Sequence, residues 1–237
     1  MLRITRLVNA PSGRRALAEF ALIVVGVLVA LWVSDLNQAR LDRARERTDL
    51  RQLLRTTREN ELRVRAALAQ DSLSLIDAYR LLAALRPSGG GGPAQPDSLT
   101  AWRRAAFRFA ALSPLTGTYT AVAQTGELNL LRNDGVRAQV ATYAGELDGD
   151  IQEMAAWFEA FNRNVGEMIR TLPLADLRAL DRGGALAPHT LRQEPLERAL
   201  VSQYVISRAR VDILHRLLES TTALRQTLEA DLAARGG

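Results

Sequence analysis

The chain has 237 residues, 47% of them hydrophobic, 24% charged and 5% aromatic, and its 31 basic residues are all Arg. With no Cys, no Lys and two His, it can hold no thiol nucleophile, disulfide, cysteine-ligated zinc, Schiff-base or P-loop lysine, or His-rich metal site. The net charge of +5 is not a nucleic-acid footprint: Arg3, Arg6, Arg14 and Arg15 carry +4, Glu19 subtracts one, and the 203 residues after Ser34 hold 27 Arg against 25 acids. Phosphate recognition needs a one-sided basic surface, so no nucleic-acid partner is expected.

An Arg-rich tail occupies residues 1–15. From Ala16 to Ser34 the chain reads ALAEFALIVVGVLVALWVS, nineteen residues with Glu19 as the one charge. A helix rises about 1.5 Å per residue, so this stretch matches the hydrocarbon thickness of a bilayer. Arg14 and Arg15 precede it and Trp32 closes it, residue types that anchor to headgroups. The exit positions of a cleavable signal want small side chains, but Leu31, Trp32 and Val33 stand there. The expectation is an uncleaved, single-pass transmembrane helix over 16–34, with the lipid bilayer as its partner. Long domains translocate largely regardless of charge, whereas four arginines resist crossing. The tail is therefore expected to stay cytoplasmic and the remainder to lie outside. Within the span, Glu19, Ile23, Gly26, Ala30 and Ser34 share one helix face. Small residues four apart allow close backbone approach, and a polar group prefers that shelter to lipid, so this is the candidate helix-association face. The plainer account is that Gly is common in membrane helices and that Glu19 sits near the interface at a helix N-terminus.

Residues 35–86 read as a helical stalk, highly charged to Arg51, that becomes the first bundle helix. Its predicted apolar stripe is Leu50, Leu54, Thr57, Val64, Leu68, Leu75, Tyr79 and Leu82, with Glu59–Arg63 and Glu61–Arg65 in the favoured i,i+4 order on the exposed side. Residues 87–97 form a Gly/Pro linker, whose four glycines lack the Lys-Ser or Lys-Thr of a phosphate loop. The bundle then extends over 98–237. Asp97 and Ser98 can cap a helix carrying Trp102, Phe109 and Leu112, and a short helix is predicted from Thr118 to Thr125. Asn133 and Asp134 open the longest pattern: Val136, Val140, Tyr143, Leu147, Ile151, Met154, Phe158, Phe161, Val165, Met168 and Leu172, an α-helical period that keeps phase across Gly145 and Gly149. Pro173, Gly183-Gly184 and Pro188 mark a connection. The last helix starts near Pro195 with Leu196, Leu200, Tyr204, Val211, Leu214, Leu218, Thr221, Leu224, Leu228 and Leu232 on its stripe. No period-2 alternation occurs. The predicted fold is all-α: a transmembrane helix continuing into a stalk, then an antiparallel bundle of long helices.

Two stretches, Glu19 through Asn37 (EFALIVVGVLVALWVSDLN) and Tyr119 through Asn133 (YTAVAQTGELNLLRN) followed by Arg137 and Tyr143, resemble an uncharacterised family of bacterial single-anchor membrane proteins, a domain of unknown function. Trp32 and Leu36 stand where that family would have a polar and an aromatic residue. The resemblance implies the same architecture and a place in the bacterial inner membrane. It carries no activity, cofactor or catalytic residue.

The strongest arrangement for chemistry is Asp212, His215 and Glu219 on one face of the last helix, which a divalent metal could use. A di-metal bundle needs a matching set on a facing helix, and His189, in a Pro-flanked stretch, does not supply it. Solvated ion pairing is the simpler account, and neither metal, cofactor nor catalytic residue is expected. TGELNLLRN could be a binding edge, but a helix stop at Gly126, core plugs at Leu128, Leu130 and Leu131, and a cap at Asn133 account for it. The functional expectation is a non-enzymatic membrane protein acting through protein–protein contacts, as a homo-oligomer or an accessory subunit of a larger membrane assembly. The alternatives are an extracytoplasmic ligand-sensing bundle that signals through a partner and, third, a metal-dependent enzyme.

Overall fold

The computed structural model of the chain describes residues 11–85, 112–124, 127–181 and 194–235. Among them all regular structure is helical: α1 (Pro11–Leu85), α2 (Gly117–Gln124), a 3-10 turn (Glu127–Leu130), α3 (Asp134–Thr171), α4 (Leu174–Asp181) and α5 (Glu194–Ala234). The fold is all-α, as the periodicity predicts. The expected helix bearing Trp102 and Phe109, and the loop of His189, lie outside the described residues.

By its internal packing the chain divides into two units, Met1–Leu50 and Arg51–Gly237, with the boundary inside α1. The described part of the first unit is helix, and its apolar side chains from Phe20 to Val33 are exposed.

In the second unit, α5 runs antiparallel both to the 51–85 portion of α1 and to α3. On α1, Arg58, Glu61, Asp71 and Tyr79 meet Glu229, Arg225, Arg210 and Tyr204 in turn. On α3, Tyr143, Asp150 and Asn164 meet Thr221, Arg216 and Ala199. Leu81, Met168, Leu172, Leu196, Ala199 and Leu200 close one end of the bundle, with Leu82 and Leu177 packed against them. Along α5, Leu214, Leu217, Leu224 and Leu228 are wholly buried, each stabilising the bundle by about 1.5–3 kcal/mol before chain entropy is counted.

Helix ends follow local chemistry. The Asn133 side chain accepts from the N–H groups of Gly135 and Val136, and Asp134 places an acid in the first turn of α3. That helix stops at Leu172, whose extended backbone (φ −75°, ψ 139°) is what a residue before proline adopts. Glu194 and Glu197 favour the N-terminus of α5. The stretch after Pro173, expected as plain connection, begins with helix α4. The N–H of Leu177 reaches the Pro173 carbonyl, and the Leu177 side chain leans on the closing core.

On α1 the buried face keeps the predicted Thr57 and Val64 but is otherwise turned by one position, whereas on α3 and α5 most of the predicted stripe is buried. On α1 the buried row is Leu53, Thr57, Asn60, Val64, Ala67, Asp71, Ser74, Ala78 and Leu81, in alternating steps of four and three. Leu54, Leu68, Leu75 and Leu82 flank it half-buried, and Tyr79 is 60% exposed. On α5 the row runs Leu196, Leu200, Gln203, Ser207, Arg210, Leu214, Leu217, Thr221, Leu224 and Leu228, leaving Tyr204, Leu218 and Leu232 at its edge. On α3, Val136, Val140, Tyr143, Leu147, Met154 and Met168 are buried as expected, Asn164 joins them, and Phe158 faces outward. These rows follow the 3.5-residue seam of paired helices, not the 3.6 period of an isolated one, and polar side chains with partners occupy them.

Gly145 and Gly149 lie exposed in the unbroken α3, and a Cβ at either would meet nothing within 4 Å. Gly145→Ala and Gly149→Ala should each stabilise the protein by about 1 kcal/mol, read as a raised denaturation midpoint. A fall in stability would show that α3 needs those glycines for a bend.

Candidate functional site

The candidate association face belongs to the first unit and the richest polar chemistry to the second. Glu19, Ile23, Gly26, Ala30 and Ser34 are all exposed on α1, as is Trp32, and a Cβ at Gly26 would meet open space. Arg14 and Arg15 belong to the first turns of α1, but their side chains fall outside what is described. One stretch of this helix has a mean hydropathy of 2.1 with none of it buried, long and apolar enough to cross a membrane.

The second unit is built around buried polar contacts that the apolar pattern does not reveal. Its first cluster joins four helices, α1, α2, α3 and α5. The Thr57 hydroxyl donates to the Leu53 carbonyl at 2.7 Å and meets the Tyr119 hydroxyl at 2.8 Å. The rings of Tyr119 and Tyr143 pack edge to face 5.1 Å apart, and the Tyr143 hydroxyl meets Thr221 at 3.1 Å. Burial pushes both phenols above their ordinary range, an effect the hydroxyls of Thr57 and Thr221 only partly offset.

The segment before α2 and the first turn of α2 are fastened to α1 by four hydrogen bonds. The Asn60 side chain accepts from the Leu115 N–H at 2.7 Å and donates to the Leu115 carbonyl at 3.1 Å, engaging both backbone groups of one residue. Arg63 donates to the Ser113 carbonyl, and the hydroxyls of Thr56 and Thr118 meet at 3.0 Å. After α2, the chain turns through Leu131, which is fully buried, while Leu128 and Leu130 are half-buried. Arg137 ties the Leu131 carbonyl to Asp134. Within the stretch singled out as a possible binding edge, Leu131 is thus a core plug and Asn133 a cap, while the expected helix stop at Gly126 lies outside the described residues. Asn133 also donates to Asp231 at 2.8 Å, joining the start of α3 to the last turns of α5.

Charged contacts continue the seam between α1 and α5. Asp71 and Arg210 pair at 2.7 Å with side chains only 3% and 4% exposed. Burial outweighs Asp71 and lowers the proton affinity of the Arg210 guanidinium. Nearer the other end, Glu61 accepts from Arg65 at 2.5 Å and from Arg225 at 2.6 Å, and Arg225 and Arg58 both reach Glu229. Burial alone would raise the Glu61 carboxyl, but Arg65 and Arg225 together hold it below the ordinary glutamate range. Arg58, then Arg225, depress Glu229 in the same way. On the α3 side, burial raises the Asp150 carboxyl even though Arg216 stands beside it.

These directions give acid sensitivity. A carboxyl whose folded pKa is depressed contributes stability above its unfolded value and loses it as pH falls through the folded value. Glu61 and Glu229 act in this sense; Asp150, raised, acts in the opposite one. Glu61→Gln is expected to lower stability at neutral pH and to flatten the loss below the ordinary glutamate range, measured by thermal melts across pH. Parallel profiles for the two proteins would show that Glu61 contributes nothing to it.

Asp212, His215 and Glu219 are exposed on α5, where Glu219 shares a shallow recess with Glu146, Gly149, Asp150, Glu153, Arg216 and Ser220. Arg216 bonds Glu153 and Asp150 there. Among the described residues no group of three or more His, Asp or Glu is placed to hold a metal ion. Thr57 belonged to the predicted stripe, but the other buried polar residues, Asn60, Asp71, Ser74, Gln203, Ser207 and Arg210, were not expected from the sequence. Their signal was the regular alternation of steps of three and four, visible once polar residues are admitted to the seam. Compared with protein-family models, with curated proteins and with solved structures, the chain finds no match.

Proposed function

We propose that the chain is a single-pass protein of the bacterial inner membrane that works through protein–protein contacts, as a self-associating or accessory subunit of a larger membrane assembly, and not as an enzyme. In this reading the tail is cytoplasmic and the bundle extracytoplasmic, and the resemblance to the uncharacterised single-anchor family reflects common design. The observation that carries it is the run of side chains from Phe20 to Val33, which are 38–77% exposed where the chain stands alone. An apolar surface of that extent needs lipid or a partner, and the face of Glu19, Gly26, Ala30 and Ser34 suits a second helix. The residue inventory, without Cys or Lys and with two His, supports a contact role over a catalytic one.

Membrane fractionation tests the anchor. The untagged protein should resist extraction by salt and alkali, and Val27→Arg, at about 2.5–3.5 kcal/mol for a mid-span charge, should weaken its retention. Recovery from the aqueous fraction with the first forty residues still attached would overturn the anchor. Cross-linking in native membranes tests the contact, with Gly26→Leu expected to reduce the product. A monomer without any co-purifying partner would overturn that part.

A further inference from the structure

We infer that the buried polar contacts between α1 and α5 are a register lock: they select one alignment among several that the apolar residues would accept. A seam with steps of three and four repeats every seven residues, so sliding α1 along α5 by seven returns core positions to core positions. The apolar members do not resist that slide. Leu53, Val64, Ala67, Ala78 and Leu81 face a partner row rich in leucine, and leucine meets leucine after the shift as before.

The polar members do resist it. In the observed alignment Asp71 meets Arg210 and Glu61 meets Arg225. Moved by seven, Asp71 would face Gln203 or Leu217, and Arg210 would face Val64 or Ala78. Glu61 would face Leu218 or Leu232, and Arg225 would face Leu54 or Leu68. Asp71 and Arg210 would each face a side chain that cannot neutralise it, which is expensive where water is excluded, whereas Glu61 would keep Arg65 and Arg225 would keep Glu229 on their own helices. The Arg58–Glu229 pair adds little selection, because Arg58 is 59% exposed. The lock is thus made chiefly by the Asp71–Arg210 pair, with Glu61–Arg225 adding a smaller preference. It acts by penalising wrong alignments and leaves the right one no more stable than a leucine seam would be. A single buried polar residue setting the register of a helical seam is the best-attested use of such groups.

The chain has no cysteine, so engineered pairs report alignment in the full-length protein in mild detergent. The Tyr79 and Tyr204 rings lie 6.5 Å apart, and Tyr79→Cys with Tyr204→Cys would cross-link in the observed register. Tyr79→Cys with Glu197→Cys would cross-link only after a shift of seven. In the otherwise native chain the first pair should give nearly all the disulfide. Replacing Asp71, Arg210, Glu61 and Arg225 by Leu should preserve helical content while the shifted product rises from trace to a yield comparable with the native one. The exchange Asp71→Arg with Arg210→Asp, which restores opposite charges in the same alignment, should keep the native product dominant. Two results would overturn the proposal: an unshifted cross-link in the leucine variant, or loss of its helical content, which would make the pairs supports of stability and not selectors of register.

Discussion

Asp71→Ala is expected to destabilise the protein by about 3–5 kcal/mol, the range for removing one partner of a buried ion pair. The Arg210 side chain is 4% exposed, so water cannot take the place of the lost carboxylate without opening the seam between α1 and α5. The loss should appear as a lower denaturant midpoint with little change in slope, since the same surface is exposed on unfolding. Replacing both residues by Leu should recover most or all of it, because two apolar side chains carry no desolvation penalty. A double variant as unstable as the single one would mean that the pair contributes net stability, and the expectation would fail. Stability and alignment are separate readouts here: the leucine pair can be as stable as the native one and still be free to slide.

Asn60→Ala carries the second large effect, about 2–4 kcal/mol. Both bonds to Leu115 disappear, and the partly buried N–H and carbonyl of that residue lose their acceptor and donor. Each stranded group costs about 1–3 kcal/mol, toward the lower end here because both are only partly buried. Asn60→Asp separates the two halves. It keeps an acceptor for the Leu115 N–H but can no longer donate to the Leu115 carbonyl, so it should fall between Ala and the native residue. Hydrogen exchange adds a local readout: the Leu115 amide should lose protection in the Ala variant and retain more of it in the Asp variant. Equal protection in all three proteins would show that the clamp is not what holds this segment.

The helices were legible in the sequence because long amphipathic stretches were interrupted by Pro, Gly and capping Asn at the places where helices do end. Asn133 and Pro173 are the clearest cases. The facing of α3 and α5 was largely legible in the same pattern, but that of α1 was not legible from apolar residues alone. Tyr79 and Phe158 fitted a 3.6 period and proved exposed, while Asp71 and Arg210, which look like surface residues one at a time, are buried because they meet each other. Partnership across 139 positions of sequence leaves no local trace. The short helix α4 was hidden for a different reason: eight residues between Pro173 and a Gly-rich stretch give too little periodicity to separate helix from loop. On the functional side, the apolar run from Ala16 to Ser34 was plain, whereas the clamp made by Asn60 belonged to a tertiary meeting of two segments.

The antiparallel pairing of α1 with α5 places a delay in the making of this protein. Glu61 and Asp71 lie 164 and 139 residues upstream of the arginines they meet, which at ribosomal speeds of 5–20 residues per second is an interval of roughly 7–35 s. Throughout it, the face of the nascent first helix stands without its mate. A face of leucines alone would invite aggregation in that interval; one that alternates leucine with Thr57, Asn60, Asp71 and Ser74 is wetted while it waits. Asp71, which later helps to choose the alignment, is thus one of the side chains that keep this face hydrated until the last helix arrives.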